Sequence, residues 1–495
     1  MHAPSHYQGT FGGGASDTVM HPLVAGALLV TIGCLFCLPR KYALVPLLLA
    51  LFLLPVGQQL HLGGVHLYVP RIIFLFGFGV LAMAKVRSPA PVLAGGWKGL
   101  DTIFTLWALF RATAVTCLYW GQLSVLLNQA AFLWDSLGAY FLFRYLIRTP
   151  SDIERLAKTF AIIVGFLAVG MVNEHFRHLN VFGYLGGVQL FPSLRAGSIR
   201  AQGPFEHPLL AGSFAATLFP IFLWIWHGRS SRALAVVGII GCSAMVVASA
   251  SSTPLLAYLA VVVGVCAWPL RRSMQAVRWS AVIILLLAQL IMKAPAWFLI
   301  SHVDLVAGNS GWHRAMLIDT FIRHFGDWWL FGTNQAVTWG LDMDDLCEQW
   351  VQEGETGGII TLFLFIALIA HMFRRLGVTR ARMSGNRTQE WLIWLIGVAL
   401  FSHCIAFFGI SYFDQSRFAF FALISVISVI TDPASCPGPS RISTGNVSLQ
   451  NGDTPHNLTD AANAVTWSPS GIPHHRFVSR SNEPGLGKTP TERLS

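Results

Sequence analysis

Long apolar runs recur along the chain, each broken by a short cluster of Arg, Lys, Gly or Pro. They fall near residues 21–38, 43–59, 68–84, 101–119, 124–147, 158–174, 209–226, 233–249, 253–270, 278–294, 356–373, 390–409 and 414–431. A bilayer core about 30 Å thick takes roughly 20 apolar residues in helical form. No run has the alternating pattern of an outer-membrane strand. The pattern predicts an all-α, polytopic integral membrane protein with about 12–13 transmembrane helices.

The connections between runs are unequal. Two on one side, 175–208 and 295–355, are long, and the rest are short. In the second, "GWHRAMLIDTFIRHFGDWWLFG" places Met316/Leu317, Thr320/Phe321 and His324/Phe325 at helical spacing. This predicts an amphipathic helix on the outer membrane surface. Trp297, Trp312, Trp328, Trp329, Trp339 and Trp350 are expected to face lipid headgroups, as a belt or as a platform for sugar rings or a lipid tail. Residues 1–20 read as a short external segment and 21–431 as the membrane domain. Residues 432–495, rich in Pro, Ser, Gly and Asn, read as a disordered cytoplasmic tail.

Composition agrees: 54% of residues are hydrophobic and only 11% charged, too little charge for a soluble protein of this length. The formal net charge of +10 raises the question of an acidic partner or nucleic acid. The basic residues answer it by position. Arg40/Lys41, Lys85/Arg87/Lys98, Arg148/Arg155/Lys158, Arg229/Arg232, Arg271/Arg272/Arg278 and the Arg374–Arg387 cluster follow the odd-numbered runs. Cytoplasmic loops collect Lys and Arg, so the N-terminus is expected outside and the C-terminus inside. The chain start lacks the basic region of a cleaved signal peptide, so Met1 onward is expected to be retained. Six of the eight cysteines lie within apolar runs, Cys436 falls inside and Cys347 outside, which gives no disulfide framework.

Three groups of residues are candidates for chemistry. Arg111 and Asp135 lie at mid-run on neighbouring helices, roughly 15–20 Å from the turn that joins them, and are expected to pair as an intramembrane clamp. Arg195, Arg200 and Arg314 stand on the two long outer segments. A guanidinium there offers a planar fork that matches phosphate oxygens. The second segment also holds nine acids, Asp304, Asp319, Asp327, Asp342, Asp344, Asp345, Glu348, Glu353 and Glu355. One beside a sugar hydroxyl can act as general base. His207, His313 and His324 face the same side and titrate near neutral pH when unperturbed. No Gly-rich phosphate loop, Ser-His-Asp order or Cys/His metal spacing occurs, so neither metal nor cofactor is expected.

On three stretches the chain resembles the bacterial O-antigen ligase and O-antigen polymerase family of membrane glycosyltransferases. "RAQGPFEHPLLAG" is similar to the family's start of a span, on Arg200, Gly203, Phe205, Pro208 and Ala211. "VVASASSTPLLAYLAVVVG" is similar to its serine-rich turn between spans. "HRAMLIDTF…WWLFGTN…QWVQEGETGGIITLFLFIALIA" is similar to its large external loop. The likeness covers about 195–373. The chain departs from the pattern in two places: no arginine follows Ser251, and Cys347-Glu348-Gln349-Trp350 stands where the family often has His-Asn before an aromatic.

The resemblance implies transfer or polymerisation of a polyprenyl-diphosphate-linked glycan at the outer face of a bacterial cytoplasmic (inner) membrane, inverting and metal-independent. The acceptor is a glycan or a lipid-linked chain, and other polysaccharide-assembly proteins are partners. Arg200, Arg195 and Arg314 would hold the diphosphate. Asp345, Glu348 or His313 would replace the absent histidine base. A flippase or transporter for lipid-linked oligosaccharide, and a non-catalytic subunit of a polysaccharide assembly complex, are the alternatives.

Overall fold

A computed structural model describes residues 18–62, 65–87, 91–195, 197–228, 231–302, 310–340, 343 and 347–433. The chain is mostly helical, and a helix stands at each of the thirteen expected runs. In order these are α1 (Pro22–Cys37), α2 (Arg40–Leu53), α3 (Val69–Arg87), α4 (Gly99–Leu118), α5 (Leu123–Leu146), α6 (Pro150–Arg177), α7 (Pro208–Ile225), α8 (Arg232–Ala248), α9 (Ser252–Cys266) and α10 (Met274–Ile291). In the second long segment α11 (Ser310–Arg323) and α12 (Phe325–Trp328) follow, and then α13 (Gln349–Arg382), α14 (Arg387–Ala406) and α15 (Gln415–Ile430). Among the described residues, seven helices are long and apolar enough to cross a membrane by length and composition. The N-terminal 17 residues and the expected tail beyond residue 433 lie outside the described residues.

Two small sheets depart from the all-helical expectation. β2 (Gln58–Leu62) pairs parallel with β1 (Thr18–Val19) and antiparallel with β3 (Val65–Tyr68). β4 (Ser193–Arg195) and β5 (Ser198–Arg200) form a hairpin. The expected 43–59 helix stops at Leu53 because Pro55 cannot continue it, and the chain turns into β2.

Small residues bring the helices together. A side-chain carbon on Gly238 of α8 would lie 2.5 Å from the Phe222 ring of α7, and one on Gly241 would lie 2.7 Å from Val164 of α6. Such close approach supplies dispersion contacts between the helices. α10 stands apart: none of its residues is buried. α13 bends sharply at Gly358, whose φ of 70° suits glycine alone.

The second long segment packs on itself. Phe321 and Trp328 stack at 3.9 Å and form a small core with Val351. The expected lipid-facing tryptophans therefore divide: Trp328 is buried, while Trp312 and Trp329 are exposed.

Charged residues gather at the helix ends. At one end Arg40 pairs with Asp152 (3.2 Å), Lys98 with Asp432 (2.8 Å), Arg144 with Asp101 (3.0 Å) and Arg271 with Glu390 (3.1 Å). The other end carries Arg200, Arg314 and the two small sheets.

Candidate functional site

The site begins with the chain that carries Arg200. Gly197, at φ 78°, closes the β4–β5 hairpin and sets Arg195 opposite Ser198 and Arg200 opposite Ser193. The next residues, Ala201 to His207, are fastened on every side. Ala201 N–H donates to the Ala248 carbonyl at 3.0 Å. The buried Glu174 carboxylate of α6 accepts from the backbone N–H of Gln202 (3.1 Å) and of Gly203 (2.8 Å). Asn180 Nδ2 donates to the Gly203 carbonyl at 2.7 Å. Asp414, which caps α15, accepts from Glu206 N–H at 3.2 Å. Phe205 is fully buried against Phe214. His207 then caps α7 by accepting from Leu209 N–H, with Pro208 at the first helical position.

Arg200 is 6% exposed, and its guanidinium turns toward the α8–α9 connection. Its Nε and Nη2 donate to Ser251 Oγ at 3.1 and 2.8 Å. Ser251 gives its own proton to the Ser249 carbonyl at 2.7 Å, so the hydroxyl is oriented as an acceptor. Two residues on, Thr253 Oγ1 accepts from Arg314 Nη2 at 2.8 Å. Arg314, on α11, is 4% exposed. One short turn thus holds two buried guanidiniums from chain segments more than a hundred residues apart. Ala250 within that turn has φ 41°, an uncommon backbone state for a residue with a side chain.

Among the described residues, neither Arg200 nor Arg314 has a carboxylate ion-pair partner. Other arginines do: buried Arg144 pairs with Asp101, and the half-buried Arg71 and Arg417 pair with Asp135. Burial lowers the Arg200 pKa to about 10, aided by the positive fields of Arg195 and Arg314, and it stays charged at neutral pH. Burial, Arg200 and Arg195 lower His207 to about 4, so it is neutral at pH 7.

Glu348 completes the cluster. It stands just before α13 and is fully buried, and among the described residues both carboxylate oxygens lack a hydrogen-bond partner, as does Arg314 Nε. Burial pushes its pKa well above the carboxylate range, and the opposing charge of Arg314 only partly offsets this. Gln349 fixes this corner: its N–H donates to the Phe407 carbonyl at 3.0 Å and its Oε1 accepts from Tyr412 N–H at 2.8 Å.

The residues singled out in the sequence divide as follows. Arg200, Arg314 and Glu348 come together at one end of the bundle, with Arg195 exposed on the hairpin beside them. His313 is half-buried next to Arg314, and Asp345 lies outside the described residues. The expected Arg111–Asp135 clamp does not form. Asp135 pairs with Arg417 Nη2 at 3.0 Å and Arg71 Nε at 3.3 Å, while Arg111 lies over the Phe132 ring at 4.7 Å. Equal depth placed the two at one level, but Asp135 turns toward α3 and α15. Ser251, Thr253, Glu174 and Asp414 were missed as site residues; only the serine-rich turn had a visible signal, as a motif without assigned contacts. No protein-family model matches the chain, and no curated protein matches it.

Proposed function

We propose that this chain is a membrane glycosyltransferase that moves a glycan from a polyprenyl diphosphate to an acceptor hydroxyl at the end of the bundle carrying Arg200. The observation that carries this reading is the pair of buried guanidiniums, Arg200 and Arg314, held by neighbouring hydroxyls of one turn and, among the described residues, without carboxylate ion-pair partners. Buried cations are ordinarily neutralised, so two that form no ion pair among the described residues suit a dianionic ligand. Diphosphate leaves well only when the charge it gains is stabilised, and fixed guanidiniums do that without reorganising.

Glu348 supplies the base in this reading. The acceptor oxygen forms its bond to the anomeric carbon while its proton passes to the Glu348 carboxylate. The bond from that carbon to the diphosphate oxygen breaks, and the electron pair leaves with the diphosphate beside Arg200 and Arg314. Attack from the opposite face inverts the configuration. His313 and Asp345, in the same segment, are alternative proton acceptors. The lipid tail requires a bilayer, which the long apolar helices fit, and the bacterial cytoplasmic membrane is the proposed location. The acceptor is a glycan or a lipid-linked chain.

Cell-free transfer from a purified lipid-linked oligosaccharide tests the proposal. Wild-type protein is expected to form a new glycosidic bond, and Arg200→Ala and Arg314→Ala are each expected to lower the rate at least about tenfold. Movement of the donor across vesicles with no bond formed would mark a flippase instead, and transfer unchanged in both variants would remove the diphosphate role.

A further inference from the structure

At the end of the bundle opposite Arg200, a cavity of about 140 Å³ opens between α1, α2, α3 and α5. Leu35, Val80, Ala84 and Leu142 form its apolar walls, and Arg40 and Arg87 also line it. Close by, Phe36 and Phe76 are 44% and 37% exposed and pack edge-to-face. A space of this size takes a benzene-sized guest. A few carbons of an acyl chain occupy similar space, and they restore contacts that the empty walls lack.

The two arginines have donors to spare. Arg40 uses Nη1 on the Leu146 carbonyl (2.7 Å) and on Asp152 (3.2 Å), and its side chain stays 26% exposed. Among the described residues neither its Nε nor its Nη2 is hydrogen-bonded. Arg87 closes α3, is exposed, and makes no hydrogen bond among the described residues. A guanidinium fork matches phosphate oxygens, and basic pockets between membrane helices at the cytoplasmic side take anionic head groups.

We infer that this cavity binds one anionic phospholipid, an acyl chain between α1, α3 and α5 and the phosphate on Arg40 and Arg87. The inference rests on the helices crossing a bilayer and is independent of glycan transfer.

Native mass spectrometry of the detergent-purified full chain tests it, with phosphatidylglycerol and phosphatidylcholine of identical acyl chains as probes. Wild-type protein is expected to retain one phosphatidylglycerol at least about fivefold better than phosphatidylcholine. Arg87→Glu, at an exposed position, removes that preference. Ala84→Phe fills the cavity and lowers retention of both lipids. Equal retention of the two lipids by wild-type protein would overturn the inference, as would an intact preference in Arg87→Glu. The readout involves no transfer, so failure of the glycosyltransferase reading leaves this result untouched, and the reverse holds.

Discussion

Ser251 accepts two hydrogen bonds from Arg200 through a single oxygen, at 3.1 and 2.8 Å, while its own proton is committed to the Ser249 carbonyl. Three groups are therefore fixed by one side chain. Ser251→Ala strands two buried donors of Arg200, at a cost of about 1–3 kcal/mol. The helices keep their packing, and the guanidinium loses its position. The expected result is a donor KM raised roughly tenfold, measured in cell-free transfer, with Ser251→Thr restoring part of it.

Glu348 gives a pH dependence with a definite sign. Burial raises its folded pKa above the unfolded value of about 4.3. Its neutral form is the one the folded state favours. Stability tied to this group is complete below the unfolded value and falls as pH rises through the folded value. Glu348→Gln is therefore expected to melt higher than wild type at neutral and alkaline pH and equally below about pH 4. The proposed transfer is expected to behave oppositely, because a base must be ionised: the wild-type rate rises with pH through the same interval, and the Gln variant loses that limb along with most of its activity. Melting curves and rate profiles across pH check both halves.

Asp135 and Arg111 separate two roles that sequence depth had joined. Asp135→Asn leaves Arg71 and Arg417 without their shared carboxylate and is expected to cost about 3–5 kcal/mol. Arg111→Gln removes a ring contact with Phe132, worth about 1 kcal/mol. Thermal melting of the two variants measures the difference, and equal losses would contradict the assigned partners.

Glu174 acts on Arg200 from outside the cluster, through the two backbone donors it receives at Gln202 and Gly203. Glu174→Ala leaves both N–H groups buried and unpaired, about 1–3 kcal/mol each. Hydrogen exchange at Gln202 and Gly203 is expected to accelerate, with transfer falling in parallel. Exchange unchanged at these amides would show that the segment is held by its other bonds.

Much of the helical architecture was legible in the apolar runs, because a helix of that length leaves a long uninterrupted signature. Its limits came where something other than hydropathy decides. Pro55 cut α2 short, and the parallel pairing of β2 with β1 joins Thr18 to Gln58, too far apart in sequence to read. The partnership of Asp135 with Arg417 links residues 282 apart in sequence, and only the rotation of α5 about its axis selects it. At the site, Arg200, Arg314 and Glu348 announced themselves as charges on long segments. Ser251 and Thr253 did not, since a hydroxyl turn between apolar helices looks the same whether or not it holds arginines. Trp328 was read toward lipid because its amphipathic context is the same in both settings; the Phe321 ring that covers it is contributed by local folding.

The proposed grip of Arg200 and Arg314 on diphosphate is open to direct measurement. Binding of a short-chain polyprenyl diphosphate to the purified full-length protein, by calorimetry in detergent, compares wild type with Arg200→Ala and Arg314→Ala. Each substitution is expected to weaken binding roughly 10- to 100-fold, the usual worth of a lost charged hydrogen bond. Equal affinity in all three proteins would contradict it.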